Sequence, residues 1–302
     1  MKNGIIKSDL RRNKRLYLLV LPVVLYYFIF CYLPMFGAII AFKNYSPSLG
    51  IIKSPWVGFT HFRAFFSSYY FWRILKNTLV ISLYSIIFCF PAPIILSLIL
   101  NEVKCKPFLK VTQTLLYLPR FISVVVICSL IKTFTYNDGI VNDLIVFLGG
   151  VREPLLQNPK YFRAIYIISE IWQTIGWDSI IYMAALSGVD QELYDAAYVD
   201  GAGKFKQMFC VTLPSIAPTI VVLLIIKIGS IMNLGYEKII LLYNESIYET
   251  SDVISSFIYR KGLQEFNWSY STAVGLFNSV CSFVLLFSSN ALSRKITENS
   301  LW

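Results

Sequence analysis

The chain has 302 residues, of which 56% are hydrophobic and only 15% charged, with a formal net charge of +10 at neutral pH. An ordinary soluble domain carries about 25% charged residues, so this composition excludes a water-facing globule and predicts a membrane protein with several spans. The Lys and Arg residues sit beside apolar runs rather than in a patch of their own, which argues against nucleic acid as a partner.

Residues 1–15 are basic and lead straight into an apolar run. No small-residue cleavage site follows at signal-peptide distance, so the first span is read as retained. Crossing a hydrocarbon core of about 30 Å takes about 20 apolar residues of helix. Six segments meet that length: 16–36, 77–100, 111–134, 161–186, 213–236 and 271–292. They are too long and continuous for barrel strands, so the fold class is all-α, a polytopic protein with six transmembrane helices in a single domain over 1–302. Pro22, Pro34, Pro91, Pro93 and Pro119 fall in or near span ends, where neighbouring helices re-satisfy the freed carbonyls.

Basic residues set the orientation. Lys2, Lys7, Arg11, Arg12, Lys14 and Arg15 precede the first span, Lys104, Lys106 and Lys110 fill the second link, and Lys204 and Lys206 lie in the fourth. With Arg294 and Lys295 in the tail, that side is roughly twofold denser in positive charge than the other. Both termini and the 187–212 loop are therefore expected to be cytoplasmic. Residues 37–76, 135–160 and 237–270 become external connections. The first of these carries Phe62, Phe65, Phe66, Tyr69, Tyr70, Phe71 and Trp72, an aromatic run expected to form an interfacial helix. The six cysteines show no CxxC pair and read as small buried hydrophobes, and one histidine, His61, is too few for a histidine metal centre.

The 187–212 loop holds a polar, acidic stretch between two long apolar segments. Residues 191–199 form a strong helix candidate with Asp190 as N-cap. Leu193, Ala196 and Ala197 share one face, and Glu192 and Asp195 lie along a neighbouring stripe. Gly201 and Gly203 break this helix, and a second one runs from about Lys204 through Thr212, Leu213 and Pro214 into the fifth span. A partner that moves the short helix therefore moves two spans. Gly201-Ala202-Gly203-Lys204 is not a phosphate-binding loop, because Phe205 follows the lysine where Ser or Thr is required.

The spacing Asp195-Ala196-Ala197, three residues, Gly201, nine residues, then Val211-Thr212-Leu213-Pro214 resembles the EAA loop of permease subunits of binding-protein-dependent ABC importers, of the maltose-permease type. Asp195 replaces the family's Glu and Val211 its Ile. The resemblance implies that Glu192, Leu193, Tyr194, Asp195, Ala196 and Ala197 dock into a groove on a cytoplasmic ATPase. Asp195 is then the acid that pairs with a basic residue, Gly201 the turn, and Val211, Leu213 and Pro214 the close of the motif. Further stretches look like LplB-type permeases: Tyr32-Leu33-Pro34-Met35-Phe36-Gly37, Ser54-Pro55-Trp56-Val57-Gly58, Phe90-Pro91-Ala92-Pro93, and Tyr117-Leu118-Pro119-Arg120-Phe121-Ile122-Ser123. Ser271-Thr272-Ala273-Val274-Gly275-Leu276-Phe277 and the closing Ser300-Leu301-Trp302 extend the likeness to nearly the whole chain.

Such permeases import oligosaccharides by alternating access, in a bacterial cell membrane. The implied partners are a second permease subunit, two copies of the ABC ATPase and an extracellular solute-binding lipoprotein. No cofactor or metal is expected on this chain, which is not an enzyme; ATP and Mg belong to the ATPase. Competing readings are a permease for another small solute (a glycerol phosphodiester or simple sugar) and a standalone secondary transporter. The latter needs repeats and broken helices that the sequence does not display, and a membrane enzyme lacks any catalytic constellation.

Ionisable groups inside spans cost roughly 2.5–3.5 kcal/mol each, so each calls for a partner or a watery path. Glu170 in the fourth span and Lys227 in the fifth fall at depths differing by about 5 Å, at about 1.5 Å per helical residue. An ion pair between them is expected. With Trp172, Trp177, Asn233 and Tyr236 they are the candidates for the translocation path, the rings serving either as packing or as platforms for sugar faces.

Overall fold

The computed structural model describes residues 12–297, 300 and 301; Lys2, Lys7, Arg11 and Trp302 of the sequence reading lie outside the described residues. Helix dominates, and the only β pairing among the described residues is one isolated bridge between Lys43 and Trp56. Five helices are long and apolar enough to cross a membrane: Lys14–Phe42, Tyr70–Asn101, Val124–Phe147, Lys204–Gly229 and Trp268–Lys295. The helix Pro159–Ser187, expected as the fourth span, has 29 residues, about 43 Å at 1.5 Å each. Lys160, Arg163, Glu170 and Asp178 keep it out of that apolar set.

Prolines shape the long helices in a repeated way. Wide π-type turns at Phe28–Tyr32, Ser85–Cys89 and Met208–Thr212 each end two residues before a proline: Pro34, Pro91 and Pro214. A proline has no N–H to donate and its ring crowds the preceding turn. Widening that turn absorbs the crowding without breaking the helix.

Three expected spans have different limits. The aromatic run before the second span is split, with Thr60–Phe66 forming its own short helix and Tyr70, Phe71 and Trp72 opening the long one. The third expected span is broken at Pro119: Lys106–Tyr117 ends in a 3-10 turn, Leu118–Phe121, Ile122 and Ser123 are extended, and a new helix starts at Val124. The fifth stops at Gly229, so Asn233 lies in a turn and Tyr236 begins a separate helix, Tyr236–Leu242.

The chain divides into two compact units. The smaller combines residues 1–67 with 261–276. Its first helix, Lys14–Tyr27, buries none of its residues, as suits a span whose faces meet lipid or another subunit. Around it the Lys43–Trp56 bridge is reinforced by stacking of Phe42 on Trp56 at 5.7 Å and by the Lys43 ammonium, which donates to the carbonyls of Ile51 and Ile52. His61 lies 3.2 Å from the Lys43 carbonyl, a local contact near the bridge.

The larger unit, 68–260 with 277–302, holds the main core. Ile81, Phe162, Tyr166, Ile239, Leu242, Ile247 and Val253 pack together there. The 237–270 segment, expected as a loop, is instead folded into short helices whose Ile239, Ile247, Ile254 and Phe257 are buried. At Gly176 the Pro159–Ser187 helix meets the backbone of Leu116 so closely that a Cβ would stand 2.1 Å from the Leu116 carbonyl oxygen. Small residues at such crossings let membrane helices approach. Of the cysteines, Cys89 and Cys128 are buried as expected, but Cys31, Cys105 and Cys210 are exposed. Cys31 lies well inside a long apolar helix and Cys210 near the start of another, while Cys105 falls in the connection just before Lys106–Tyr117.

Candidate functional site

The loop helix forms where the residues place it, over Gln191–Val199. Asp190 caps it, its carboxylate accepting from the Glu192 N–H at 3.0 Å. At the other end Gly201 takes a left-handed φ of +74°. Its N–H donates to the Tyr198 carbonyl and that of Ala202 to the Ala197 carbonyl, both at 2.9 Å. This is a Schellman closure, which satisfies the last carbonyls and needs a residue without a Cβ penalty at Gly201. The turn is pinned from below, since the Gln207 amide donates to the Ala202 carbonyl at 2.9 Å.

One contact then ties the short helix to the helix that follows, the Tyr194 hydroxyl lying 3.0 Å from the Thr212 hydroxyl. Lys204, at the start of that following helix, reaches Glu102, just past the end of Tyr70–Asn101, at 3.2 Å. Val211 and Leu213 are half-buried in the continuing helix while Pro214 is exposed. The Gln191–Val199 helix itself buries nothing: Glu192, Leu193, Asp195 and Ala196 are exposed and Tyr194 and Ala197 only half-buried. Tyr198 and Val199 are 75% and 84% exposed. Leucine, valine and tyrosine side chains are thus exposed on this helix beside an acid. A groove of about 410 Å³ runs beside it, lined by Tyr194, Asp195, Tyr198, Glu102, Lys104 and Lys204.

A second polar region lies among the long helices. Two cavities, of about 130 and 300 Å³, share Glu170, Lys227 and Ser230 on their walls. Ser82, Ser85 and Asn233 line the smaller; Arg120, Asp178 and Tyr182 line the larger. Glu170 does find a lysine, but the ion pair is with Lys238 at 2.9 Å rather than with Lys227. Lys238 comes from the buried Tyr236–Leu242 helix and also sits 5.2 Å from the centre of the Tyr166 ring. Asn233 joins the Nδ2 of Asn278 at 2.7 Å. Trp172, Trp177 and Tyr236 do not line these cavities. Both tryptophans are exposed, Trp177 edge-on to Phe121 at 5.6 Å, and Tyr236 stacks on Tyr259 at 5.8 Å.

Sequence reasoning missed a buried ionic knot. Asp252 is fully buried and accepts from Arg260 at 2.7 and 3.2 Å and from Arg73 at 3.1 Å. Asn77 donates to the carbonyls of Glu249 and Asp252 and accepts from Arg163. Of Asp252's partners, Arg260 lies eight positions on but Arg73 is 179 positions away, so the local sequence does not show the knot.

Residues 80–298 match the family described as binding-protein-dependent transport system inner membrane component. Protein LplB of Bacillus subtilis is 44% identical over 98% of this chain and 93% of its own length. The polygalacturonan/rhamnogalacturonan transport system permease protein YteP of the same organism is also 44% identical, over 96% and 91%. A chain from the crystal structure of a bacterial ABC transporter involved in import of the acidic polysaccharide alginate superimposes with a TM-score of 0.90 at 44% identity, over 97% of this chain and 99% of that one. The same transporter type is seen in complex with an alginate pentasaccharide-bound periplasmic protein, again at 0.90. The fold is therefore that of a type I ABC permease, and the chain belongs to the inner membrane components of binding-protein-dependent transport systems.

Proposed function

We propose that this chain is one permease subunit of an ATP-driven importer that moves oligosaccharides through the membrane by alternating access. The single observation that carries the coupling is the Gln191–Val199 helix: unburied on this subunit, locked by Gly201 and continuous through Lys204 into a long apolar helix. A separate ATPase, present in two copies and holding ATP and Mg, grips this helix, with Asp195 facing a basic residue of its groove. Closure of the ATPase pair then moves the helix beside it. The Pro159–Ser187 helix serves as the sixth span, its charges turned to the polar cavities, and both termini and the 187–212 loop face the cytoplasm. A second permease subunit completes the pathway, and an external binding lipoprotein delivers the sugar. The chain itself performs no chemistry. Two relatives named for polysaccharide import, and one importer seen with its periplasmic protein, support the substrate class and the delivery route.

Co-purification from membranes tests this. The ATPase is expected to accompany the wild-type chain and to be lost with Asp195→Arg or on deletion of 191–201. Undiminished co-purification with both variants would remove the coupling role from this helix.

A further inference from the structure

A third cavity, of about 760 Å³, shares no residue with the two around Glu170. It lies wholly within the larger unit, where the end of Val124–Thr135, the 136–138 turn, the 154–157 stretch and the linker after Leu242 meet. Two side chains that do not line it hold its rim. The fully buried Asn142 donates to the carbonyls of Tyr136 and Glu153, both at 2.9 Å, and Arg152 donates to the Asn137 carbonyl at 2.9 Å. From the opposite wall Asn244 donates to the Leu156 carbonyl at 2.8 Å, and the half-buried Tyr243 packs on Tyr248 with ring centres 4.9 Å apart. With the backbone fixed in this way, the side chains of Tyr136, Asn137 and Gln157 stand exposed at the cavity. Among the described residues they make no hydrogen bond within the chain.

We propose that this cavity is a glycan subsite on the outer side of the subunit, with Tyr136 as platform for a sugar ring and Asn137 and Gln157 binding its hydroxyls. The proposal rests on the permease reading above, which puts 135–160 and 237–270 outside, and it adds a binding site apart from the two polar cavities. The volume falls within the roughly 300–1,000 Å³ of small-molecule sites. A sugar ring offers an apolar C–H face to an aromatic ring, and neighbouring hydroxyls to side-chain amides that donate and accept at once. Lys132 and Asp138 on the walls carry opposite charges, so the lining holds no excess that would select an ion. A peptide fits less well, because among the described residues the cavity has no strand edge to which an extended segment could add.

The test is alkylation of a cysteine placed on the cavity wall, Thr133→Cys, in the complete importer with Cys31, Cys105 and Cys210 replaced by alanine. N-ethylmaleimide is the label, and an equal mixture of trigalacturonate and α-1,4-galactotriose is the probe. The mixture is expected to slow labelling of the Thr133→Cys variant at least about fivefold, the fall in free sites at a fourfold excess over half-saturation. Labelling of Lys160→Cys, outside the cavity, is expected to stay unchanged. Tyr136→Ala and Gln157→Ala are each expected to raise the half-protecting concentration about threefold to tenfold, while still co-purifying with the ATPase. Absence of protection overturns the proposal, as does protection unmoved by both variants. Equal slowing in Lys160→Cys overturns it by marking a general conformational change. Protection by sugar-free binding protein alone also overturns it and gives the cavity to that protein. Uptake of the same mixture by wild-type cells judges the permease reading separately: failed uptake with protection intact faults that reading and leaves the subsite standing.

Discussion

Lys238 Nζ lies 2.9 Å from Glu170 Oε2, with the lysine side chain 6% exposed and the acid 27%. The pair bolts the short Tyr236–Leu242 helix to the middle of Pro159–Ser187. Removing one member of a buried pair strands the other charge, which typically costs about 3–5 kcal/mol, whereas replacing both is often close to neutral. Glu170→Gln is therefore expected to lower thermal stability in detergent sharply. The double variant Glu170→Gln with Lys238→Met is expected to recover most of the loss. A double variant no more stable than the single one would show that the pair is not the cause.

Asp252 holds Arg73 and Arg260 at once, fastening the 237–270 segment to the start of Tyr70–Tyr84. Asp252→Ala leaves two guanidinium groups without their acid and is expected to cost about 3–5 kcal/mol by the same reasoning. Burial works to lower the Arg260 pKa, but the Asp252 hydrogen bonds and charge outweigh it and hold it above the ordinary arginine value. A raised pKa contributes its full stability below the ordinary arginine value and loses it only above. The knot is thus expected to survive alkaline titration to pH 10, read as an unchanged melting temperature.

Gly176 and Gly229 should respond differently to the same methyl group. A Cβ at Gly176 meets the Leu116 carbonyl oxygen at 2.1 Å, and backbone cannot step aside. At Gly229 it meets the end of the Leu286 side chain at 2.6 Å, which can turn. Overpacking generally costs about 1–3 kcal/mol, so Gly176→Ala is expected to lose at least that much and Gly229→Ala distinctly less. Comparing their melting temperatures in the same detergent checks the order.

Gly201 and Gly203 make a second such contrast, in coupling rather than packing. Gly201 sits at φ +74°, where a branched side chain costs about 1–2 kcal/mol. Gly203 has an ordinary φ of −67° and open space around its Cβ position. Gly201→Val is expected to reduce sugar uptake several-fold at normal membrane levels, and Gly203→Ala to leave it near wild type. Equal uptake in both would show that the turn geometry does not transmit force.

Features written in contiguous residues were legible without coordinates. The 191–199 helix, its Asp190 cap, the break at Gly201 and the run from Lys204 into the membrane all depend on neighbours in sequence, and each stands where the residues put it. Apolar length likewise announced the long helices, and their ends erred where one proline or a short polar turn decided the limit, as at Pro119 and after Gly229.

Partner choice among distant charges was not legible. Depth along two helices made Glu170 and Lys227 equals, but a pair also needs the same azimuth and a close approach. The fold met those conditions by burying Lys238 in a segment read as an external loop. Trp172 and Trp177 stand outside the two polar cavities for the same reason: periodicity gives a helix its stripes, while only packing against neighbours decides which stripe faces those cavities. By itself, then, the sequence determined the class, most of the long apolar helices and the 191–199 helix with its cap and turn, because hydrophobicity, caps and turns act within a few residues. The tertiary structure alone decided which charges pair and which line the two polar cavities, because Coulombic partners are selected by distance in space.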